Sequence, residues 1–403
     1  MGLFDGITRN VLVLGIVSFL TDVSSEMIFP ILPLFLTNIL GAGTQIVGLV
    51  EGVADSIASL LDIFVGYFSD IEGKRKEFAV AGYGLSSVMK VFLVFANSWP
   101  IVLIVRGGER LGKSIRTSPR DAIIAKSTDE KMRGKAFGLH RAMDTVGAIV
   151  GPAVAYIVFM VMGQTEAGFR AIFTIGVIPA VLAVIAIIFF VREPKLRGSA
   201  AEAADAKKAG SGKPAKKAGF WEALRTLDSR YKRFLFVSCI FSLAYFSFAL
   251  LIVRANDIGM KTQDIILVYL LYNVAYAASS VPIGMLSDRI GRKLVIGVSF
   301  MLYGAIAIGF SFVNQPWQIA TLFVIYGAFV AADESVNKAY ISDITENKTR
   351  GMALGAYNSA VGAVYLPANA VFGVLWAAFG AVIAFGAAAA VAIVAGIAML
   401  IYA

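Results

Sequence analysis

Residues 66–75 read GYFSDIEGKR, and residues 284–293 repeat the pattern as GMLSDRIGRK. Each copy follows one long apolar run and precedes another. The bias of loop charges explains the basic residues, but not an Asp that keeps the same Gly spacing in both copies. A polar loop repeated at equivalent places of two halves indicates an internally duplicated membrane protein. Bundles of this kind are typical of solute transporters.

The composition also indicates a membrane protein. Of the 403 residues, 58% are hydrophobic, and the mean hydropathy of +0.77 exceeds that of ordinary soluble domains. Apolar runs of about 20 residues, the length that crosses a bilayer, recur along the chain. The first run begins near Val11 and continues past Leu36, which is too long for a cleavable signal peptide, so we predict that it is the first span.

We predict twelve membrane-spanning helices, numbered 1 to 12 in chain order. Lys and Arg concentrate in the 2–3, 4–5, 8–9 and 10–11 loops and are absent from the 1–2, 3–4, 9–10 and 11–12 loops. This bias predicts a multi-pass protein of the plasma membrane with both termini in the cytoplasm. The predicted spans are 9–37, 46–69, 77–96, 99–124, 133–161, 168–191, 232–255, 264–286, 293–313, 317–342, 351–376 and 379–402.

One polar segment divides these spans into two sets of six. Residues 195–219 are rich in Ala, Gly and Lys, and cannot bury enough apolar surface to fold. We therefore predict an N-terminal six-helix bundle at 1–191, a basic cytoplasmic linker at 192–231 and a C-terminal six-helix bundle at 232–403. The fold class is an all-α membrane protein with two pseudo-symmetric bundles.

The charge and cysteine content exclude some partners. The net charge of +9 lies largely in the linker and the short loops, so it reflects membrane topology and predicts no nucleic-acid partner. The single Cys239 excludes an intramolecular disulfide and a cysteine metal site. No Gly-rich phosphate loop and no nucleophile–base motif is present. We therefore predict no cofactor, no enzymatic activity, and energy drawn from an ion or solute gradient.

The repeated loop and two helix motifs resemble those of the major facilitator superfamily. In helix 4, Arg106-x-x-Glu109-x-x-Gly112 resembles motif B of that family, with Glu109 where Gln is usual. In helix 5, Gly147-x-x-x-Gly151-Pro152 resembles motif C, which marks the antiporter branch. The two repeated loops match motif A at Gly66, Asp70, Gly73 and Arg75, and again at Gly284, Asp288, Gly291 and Arg292.

The resemblance implies a fold and a way of working. Two six-helix halves would surround a central cavity lined by helices 1, 4, 7 and 10, and would rock to expose it to alternate sides. The motif residues would gate this movement. Within the superfamily, the chain resembles the twelve-helix drug:proton antiporters. Members of the superfamily act mostly as monomers, which implies a monomer here.

Helix 4 carries a charged face through the membrane. Its ionisable residues fall within an arc of roughly 140° on a helical wheel. Such a face must line an aqueous cavity or pair with neighbouring helices. We expect the deeper cations Arg106, Arg110 and Lys113 to bind an anionic substrate group or to promote proton release from nearby acids. Arg116 and Arg120 lie near the cytoplasmic end, where they could equally well anchor the helix at the membrane surface. The residues are Arg106, Glu109, Arg110, Lys113, Arg116, Arg120 and Asp121.

Helices 1 and 2 also supply acids. Glu51, Asp55 and Asp62 of helix 2 lie within an arc of roughly 40°, and form ion pairs across a cavity or simply hold the half together. Asp22 and Glu26 of helix 1 are four residues apart and share one face. Two close carboxylates repel, so the pair is suited to proton binding, unless it is a structural partner of the arginines.

Helix 5 offers a second candidate proton site. The helix contributes His140, Arg141 and Asp144; His140 and Asp144 share a face and form the candidate pair, because an unperturbed imidazole titrates near neutral pH. We predict no metal there. In the second half, the tyrosines of helices 7, 8 and 11 suit an amphipathic solute but are equally ordinary packing residues.

The predicted function is a secondary active transporter, in particular a proton-coupled exporter of small organic solutes. Its partners are the solute, protons and the lipid bilayer. One alternative is a transporter of metal ions or metal chelates that uses Asp22, Glu26, Glu51 and Asp55. Another is a non-transporting membrane sensor built on the same fold.

Overall fold

The computed structural model describes residues 7–72, 75–129, 132–193, 228–346 and 349–402, without the side chains of residues 60–72 and 351. Helices account for nearly all of this part of the chain, which contains no strand. The helices are α1 (Arg9–Ile39), α2 (Thr44–Glu72), α3 (Arg75–Val94), α4 (Trp99–Lys126), α5 (Arg133–Met162), α6 (Glu166–Phe190), α7 (Ser229–Asp257), α8 (Thr262–Ile290), α9 (Arg292–Phe312), α10 (Pro316–Ile344), α11 (Arg350–Phe379) and α12 (Ala381–Ile401).

The twelve helices confirm the predicted all-α membrane fold. Ten of the described helices are long and apolar enough to cross a bilayer. The other two are α2 and α4, the helices with the acidic and basic faces. Most of the predicted linker, residues 194–227, lies outside the described residues, so the division at 192–231 stays a prediction.

Two helices are interrupted within the membrane. In α1 the regular helix ends at Ile28, just before Pro30, and resumes as a short helical turn and a π-helical turn. In α7 residues 244–247 separate two helical segments. The backbone N–H of Phe246 donates to the Tyr303 hydroxyl at 3.0 Å, and that of Ser247 donates to Asn369 Oδ1 at 2.6 Å. Neighbouring side chains thus satisfy the groups that the break releases, as a membrane requires.

Glycines bring α5 into backbone contact with α1. A Cβ atom built on Gly147 lies 2.7 Å from the carbonyl oxygen of Phe19 and 3.0 Å from Cβ of Asp22. One turn later, a Cβ on Gly151 lies 2.6 Å from the carbonyl oxygen of Val23. Only glycine fits this spacing, so the motif C resemblance corresponds here to a tight α1–α5 contact beside Asp22.

The first six helices meet the last six at one end of the molecule. Helix α2 packs against α11, where the Ser56 hydroxyl donates to the carbonyl oxygen of Gly362 at 2.6 Å. The amides of Asn38 and Asn256 join α1 to α7 at 3.2 Å. These contacts lie toward the end of the molecule that carries the 1–2 and 11–12 loops, which the charge bias assigns to the outside.

We predict that Gly147→Ala destabilises the protein, because the added methyl group must separate α5 from the α1 backbone. Overpacking of this kind costs about 1–3 kcal/mol. Thermal unfolding in detergent, followed by intrinsic fluorescence, should show a lower Tm than that of the unaltered protein.

Gly138→Ala is the matched control on the same helix. Nothing lies within 4 Å of a Cβ atom at Gly138, so the change should leave the Tm unchanged or raise it slightly. An equal loss of stability in both variants would contradict the tight α1–α5 contact.

Candidate substrate and proton site

A chamber of about 340 Å³ lies at the centre of the helices. One wall comes from α1, α2, α4 and α5 and is densely charged. The opposite wall comes from α7, α8 and α10 and is largely aromatic; its rings are Tyr245, Phe248, Tyr269, Tyr272, Tyr276 and Tyr326. A second cavity of about 660 Å³ adjoins it between α5 and α8 and shares Asp22, Glu26, Lys113 and Arg141.

Arg106 of α4 is held by two carboxylates. Its Nε and one terminal nitrogen donate to both oxygens of Glu51 on α2, at 2.9 and 3.0 Å. Its other terminal nitrogen donates to Glu109 at 2.9 Å. Arg106 is 5% and Glu51 2% exposed, so this bidentate pair is removed from solvent.

Lys90 of α3 completes this group. Its ammonium donates to the hydroxyls of Ser24 and Ser25 on α1, at 2.8 and 2.9 Å, and lies 3.8 Å from Glu109. Two basic and two acidic side chains thus form a neutral cluster that joins the first four helices. We call Glu51, Lys90, Arg106 and Glu109 the buried ionic cluster.

The remaining arginines of α4 are also partnered. Arg110 lies 3.5 Å from Asp55 of α2, and Arg120 lies 2.9 Å from Asp121. Arg116 is buried, stacks on the ring of Tyr83 and donates to the Ser86 hydroxyl at 2.7 Å.

Lys113 differs from these arginines. Its side chain is exposed and lines both cavities. It has no hydrogen bond or ion pair with any side chain that the structure describes. The sequence grouped Lys113 with Arg106 and Arg110, whereas the structure leaves only the lysine unpaired.

Asp22 and Glu26 of α1 both face the chamber. Glu26 accepts a hydrogen bond from the hydroxyl of Tyr269 on α8. Asp22 has no hydrogen bond or ion pair within the described part of the chain, although Lys113 and Asp144 are close enough to interact with it electrostatically. Neither acid forms an ion pair with Arg106 or Arg110, which pair with Glu51, Glu109 and Asp55 instead.

Helix α5 contacts the second half through Arg141. Its guanidinium donates to the Tyr276 hydroxyl at 3.1 Å, and that hydroxyl donates to Glu334 of α10 at 2.6 Å. His140 lies apart from this chain of contacts: it is buried, with Nδ1 3.6 Å from Asp144. The sequence suggested the tyrosines of α8 only as solute-contacting or packing residues and did not predict the contacts of Tyr269 and Tyr276 with Glu26 and Arg141. Glu334 was not among the residues predicted for the site.

The residues of the two repeated loops, predicted to gate the transporter, do not line the chamber or lie outside the described residues. Gly73 and the side chain of Asp70 are not described, nor are contacts of Gly66; Arg75 is buried at the start of α3. The side chain of Asp62, an acid predicted for the substrate and proton site, also lies outside the described residues. In the second copy, Gly291 turns the chain with a positive φ of 98°, which favours glycine. Arg292 then pairs with Asp288 at 3.1 Å and with Asp343 at 2.8 Å, while a Cβ at Gly284 would meet open space. Their gating role stays a prediction, as does that of Gly147, Gly151 and Pro152.

Comparison with known proteins identifies the family. The Major Facilitator Superfamily model matches residues 14–261 and 234–403. An uncharacterized MFS-type transporter, MJ1317, of Methanocaldococcus jannaschii is 36% identical over 376 residues, which cover 92% of this chain and 89% of the relative. Multidrug resistance protein MdtG of Salmonella paratyphi B is 24% identical over 365 residues, covering 87% of this chain and 84% of MdtG.

Solved structures share the fold. A D-xylose-proton symporter superposes with a TM-score of 0.75 at 17% identity, with 98% of each chain covered. This likeness confirms the architecture of twelve helices in two six-helix bundles. With the family match and the archaeal relative, it shows that the chain belongs to the Major Facilitator Superfamily and is a multi-pass membrane transporter.

Proposed function

We propose that this transporter exports small organic solutes in exchange for protons, and that Asp22 and Glu26 bind the protons. The observation that carries the proposal is the uneven pairing of the acids. Glu51, Asp55 and Glu109 each have an arginine partner, whereas Asp22 has none among the described residues. A carboxylate without a fixed cation is the one whose charge can change without breaking an ion pair.

Lys113 would assist the release of these protons. It shares both cavities with Asp22 and Glu26, and its ammonium favours their ionised forms. A cationic or hydrogen-bond-donating group of the solute would compete with the proton for the same two carboxylates. Because binding of one then lowers the affinity for the other, the two species are exchanged.

Two contacts could carry the change of charge to the second half. When Glu26 is ionised, the hydrogen bond from Tyr269 is charge-assisted, and protonation weakens it. The contacts of Arg141, Tyr276 and Glu334 form a parallel link between α5 and α10. Both links join helices of opposite halves, so the protonation state can bias the rocking movement.

Other observations support the direction of transport, the kind of solute and the orientation in the membrane. The relative MdtG is named a multidrug resistance protein, which favours export. The tyrosine-rich wall suits solutes that contain rings. The loop charges support cytoplasmic termini, and we propose that the protein lies in the plasma membrane. We further propose that it acts as a monomer.

The metal alternative has less support. The described residues contain no group of three His, Cys, Asp or Glu side chains that could hold a metal ion. A sensor without transport would have no need of an ionisable chamber whose burial is costly.

A second candidate is cotransport of protons with an organic anion. Lys113 and Arg141 line the chamber without a carboxylate partner among the described residues. Protonation of Asp22 would leave Lys113 uncompensated, so an anion would bind together with the proton. The sign of the coupling is therefore opposite for anionic and cationic solutes.

We expect Asp22→Asn and Glu26→Gln to abolish pH-driven transport. In proteoliposomes with the membrane potential clamped and ethidium as the probe, one coupled proton sustains about a tenfold probe gradient per pH unit. The variants should sustain none but should still exchange ethidium across the membrane. Asp264→Asn, an exposed residue at the outer start of α8, is the control and should behave like the unaltered protein. Unchanged pH-driven accumulation in both variants would show that Asp22 and Glu26 are not the proton-binding groups.

The two coupling modes predict opposite pH dependences of binding. Benzylammonium and benzoate carry the same ring with opposite charges, and both keep their charge from about pH 6 to 8. For one linked proton, calorimetry should show affinity for benzylammonium rising as much as about tenfold per pH unit, and affinity for benzoate falling by the same factor. Tight binding of the cation supports exchange, whereas tight binding of the anion supports cotransport.

Lys113→Gln separates the two probes further. It should weaken benzoate binding and leave benzylammonium binding equal or tighter, because Asp22 and Glu26 lose a competing cation. Lys261→Gln, in the loop before α8, is the matched control and should change neither. Equal effects of both lysine variants would show that Lys113 has no specific place in the chamber.

A further inference from the structure

Asp333 lies near the middle of α10 and takes no part in the site described above. Its neighbours Val330 and Glu334 line the chamber, but Asp333 does not. It is only partly exposed, and no Lys or Arg in the described part of the chain lies within ion-pair distance of it. In this it differs from Glu51, Asp55 and Glu109, which all have arginine partners.

The groups around Asp333 are almost all neutral. Asn337 Nδ2 donates to Asp333 Oδ1 at 2.7 Å and to the Tyr357 hydroxyl at 3.1 Å. The charged groups that act on Asp333 are Glu334 and Lys338, both on its own helix. Around it, α9, α10 and α11 contribute the hydroxyls of Tyr303, Tyr326, Tyr357 and Tyr365.

This surrounding favours a neutral carboxylic acid. An ionised carboxylate inside a membrane is costly unless a cation or several donors compensate it. Here one amide donor is in place, and the neighbouring hydroxyls can accept as well as donate. Asn337 is 2% exposed and its Oδ1 has no partner among the described residues, so a buried acceptor stands beside the acid.

The proton has a short way to the chamber. Glu334 adjoins Asp333 in the chain and lines the chamber, where it accepts a hydrogen bond from Tyr276. Tyr326 also lines the chamber and interacts electrostatically with Asp333. Two residues that line the chamber, the carboxylate of Glu334 and the phenol of Tyr326, are thus neighbours of Asp333.

We propose that Asp333 is a second proton-binding carboxylate, which lies in the other half of the transporter from Asp22 and Glu26. It takes its proton from the chamber past Glu334 and Tyr326, and releases it there in another part of the transport cycle. The proposal goes beyond the assigned α1 site, because it gives each half its own proton-binding group and raises the number of protons moved per cycle. It rests on proton coupling as proposed above, but its test reads protonation directly and needs no transported solute.

The test is an infrared pH titration of the whole protein in lipid. A protonated carboxyl group in an apolar place gives a carbonyl stretching band separate from that of carboxylates. We expect a band that changes with pH and is lost in Asp333→Asn. In Asn337→Ala the same band should remain but shift in frequency, because the carbonyl of Asp333 loses its amide donor. This shift assigns the band to Asp333 even if Asp333→Asn does not fold.

Two controls define the outcome. Asp343 lies on the same helix as Asp333 but forms an ion pair with Arg292 of α9. Asp343→Asn should therefore leave the band unchanged. Asp22→Asn should remove a different band, so failure of the α1 site and failure of this proposal are distinguishable. The proposal is wrong if no band depends on Asp333, if that band does not titrate, or if sodium removes it at constant pH.

Discussion

The bidentate contact between Arg106 and Glu51 is the interaction on which the rest of the structure depends. It allows α4, a helix with seven ionisable residues on one face, to remain inside a membrane bundle. With Glu109 and Lys90 it forms a neutral group in which every charge has an opposite neighbour. Breaking a buried pair by removing one partner costs about 3–5 kcal/mol, because the remaining charge is left uncompensated. The cluster therefore fixes how α2, α3 and α4 face one another.

This fixed pairing decides which charges are available for function. Arg106, Arg110 and Arg120 are committed to carboxylates, and Arg116 is buried against Tyr83. What remains at the chamber surface is a small set: Asp22, Glu26, Lys113, Arg141 and Glu334. None of these five lies in an ion pair with a described residue, so their charges can respond to a proton or a solute. The structural and functional ionisable groups thus lie on the same helices but differ in their partners.

The sequence was sufficient for the fold and for part of the site. The repeated loop, the apolar runs and the loop charges predicted twelve helices, and the charged face of α4 predicted a polar interior. It could not tell Lys113 from Arg106, because the difference depends on how α2 is rotated against α4. Nor could it predict that Tyr269 and Tyr276 reach across from α8 to Glu26 and Arg141, since that contact depends on how the halves are docked. The break in α7 has no proline to mark it and depends on Tyr303 and Asn369, which are distant in sequence.

The central claim is that the unpaired charges line a water-filled chamber, and thiol accessibility measures this most directly. Cys239→Ser provides a background without cysteine, into which Lys113→Cys or Ile104→Cys is introduced. Ile104 lies on the same helix with 68% of its surface exposed, on the face turned outward to lipid. Because thiol labelling requires water and the thiolate, a charged maleimide should label the cysteine at position 113 rapidly and the one at position 104 very slowly. Equal labelling of the two positions, or no labelling at position 113, would contradict the chamber and the account built on it.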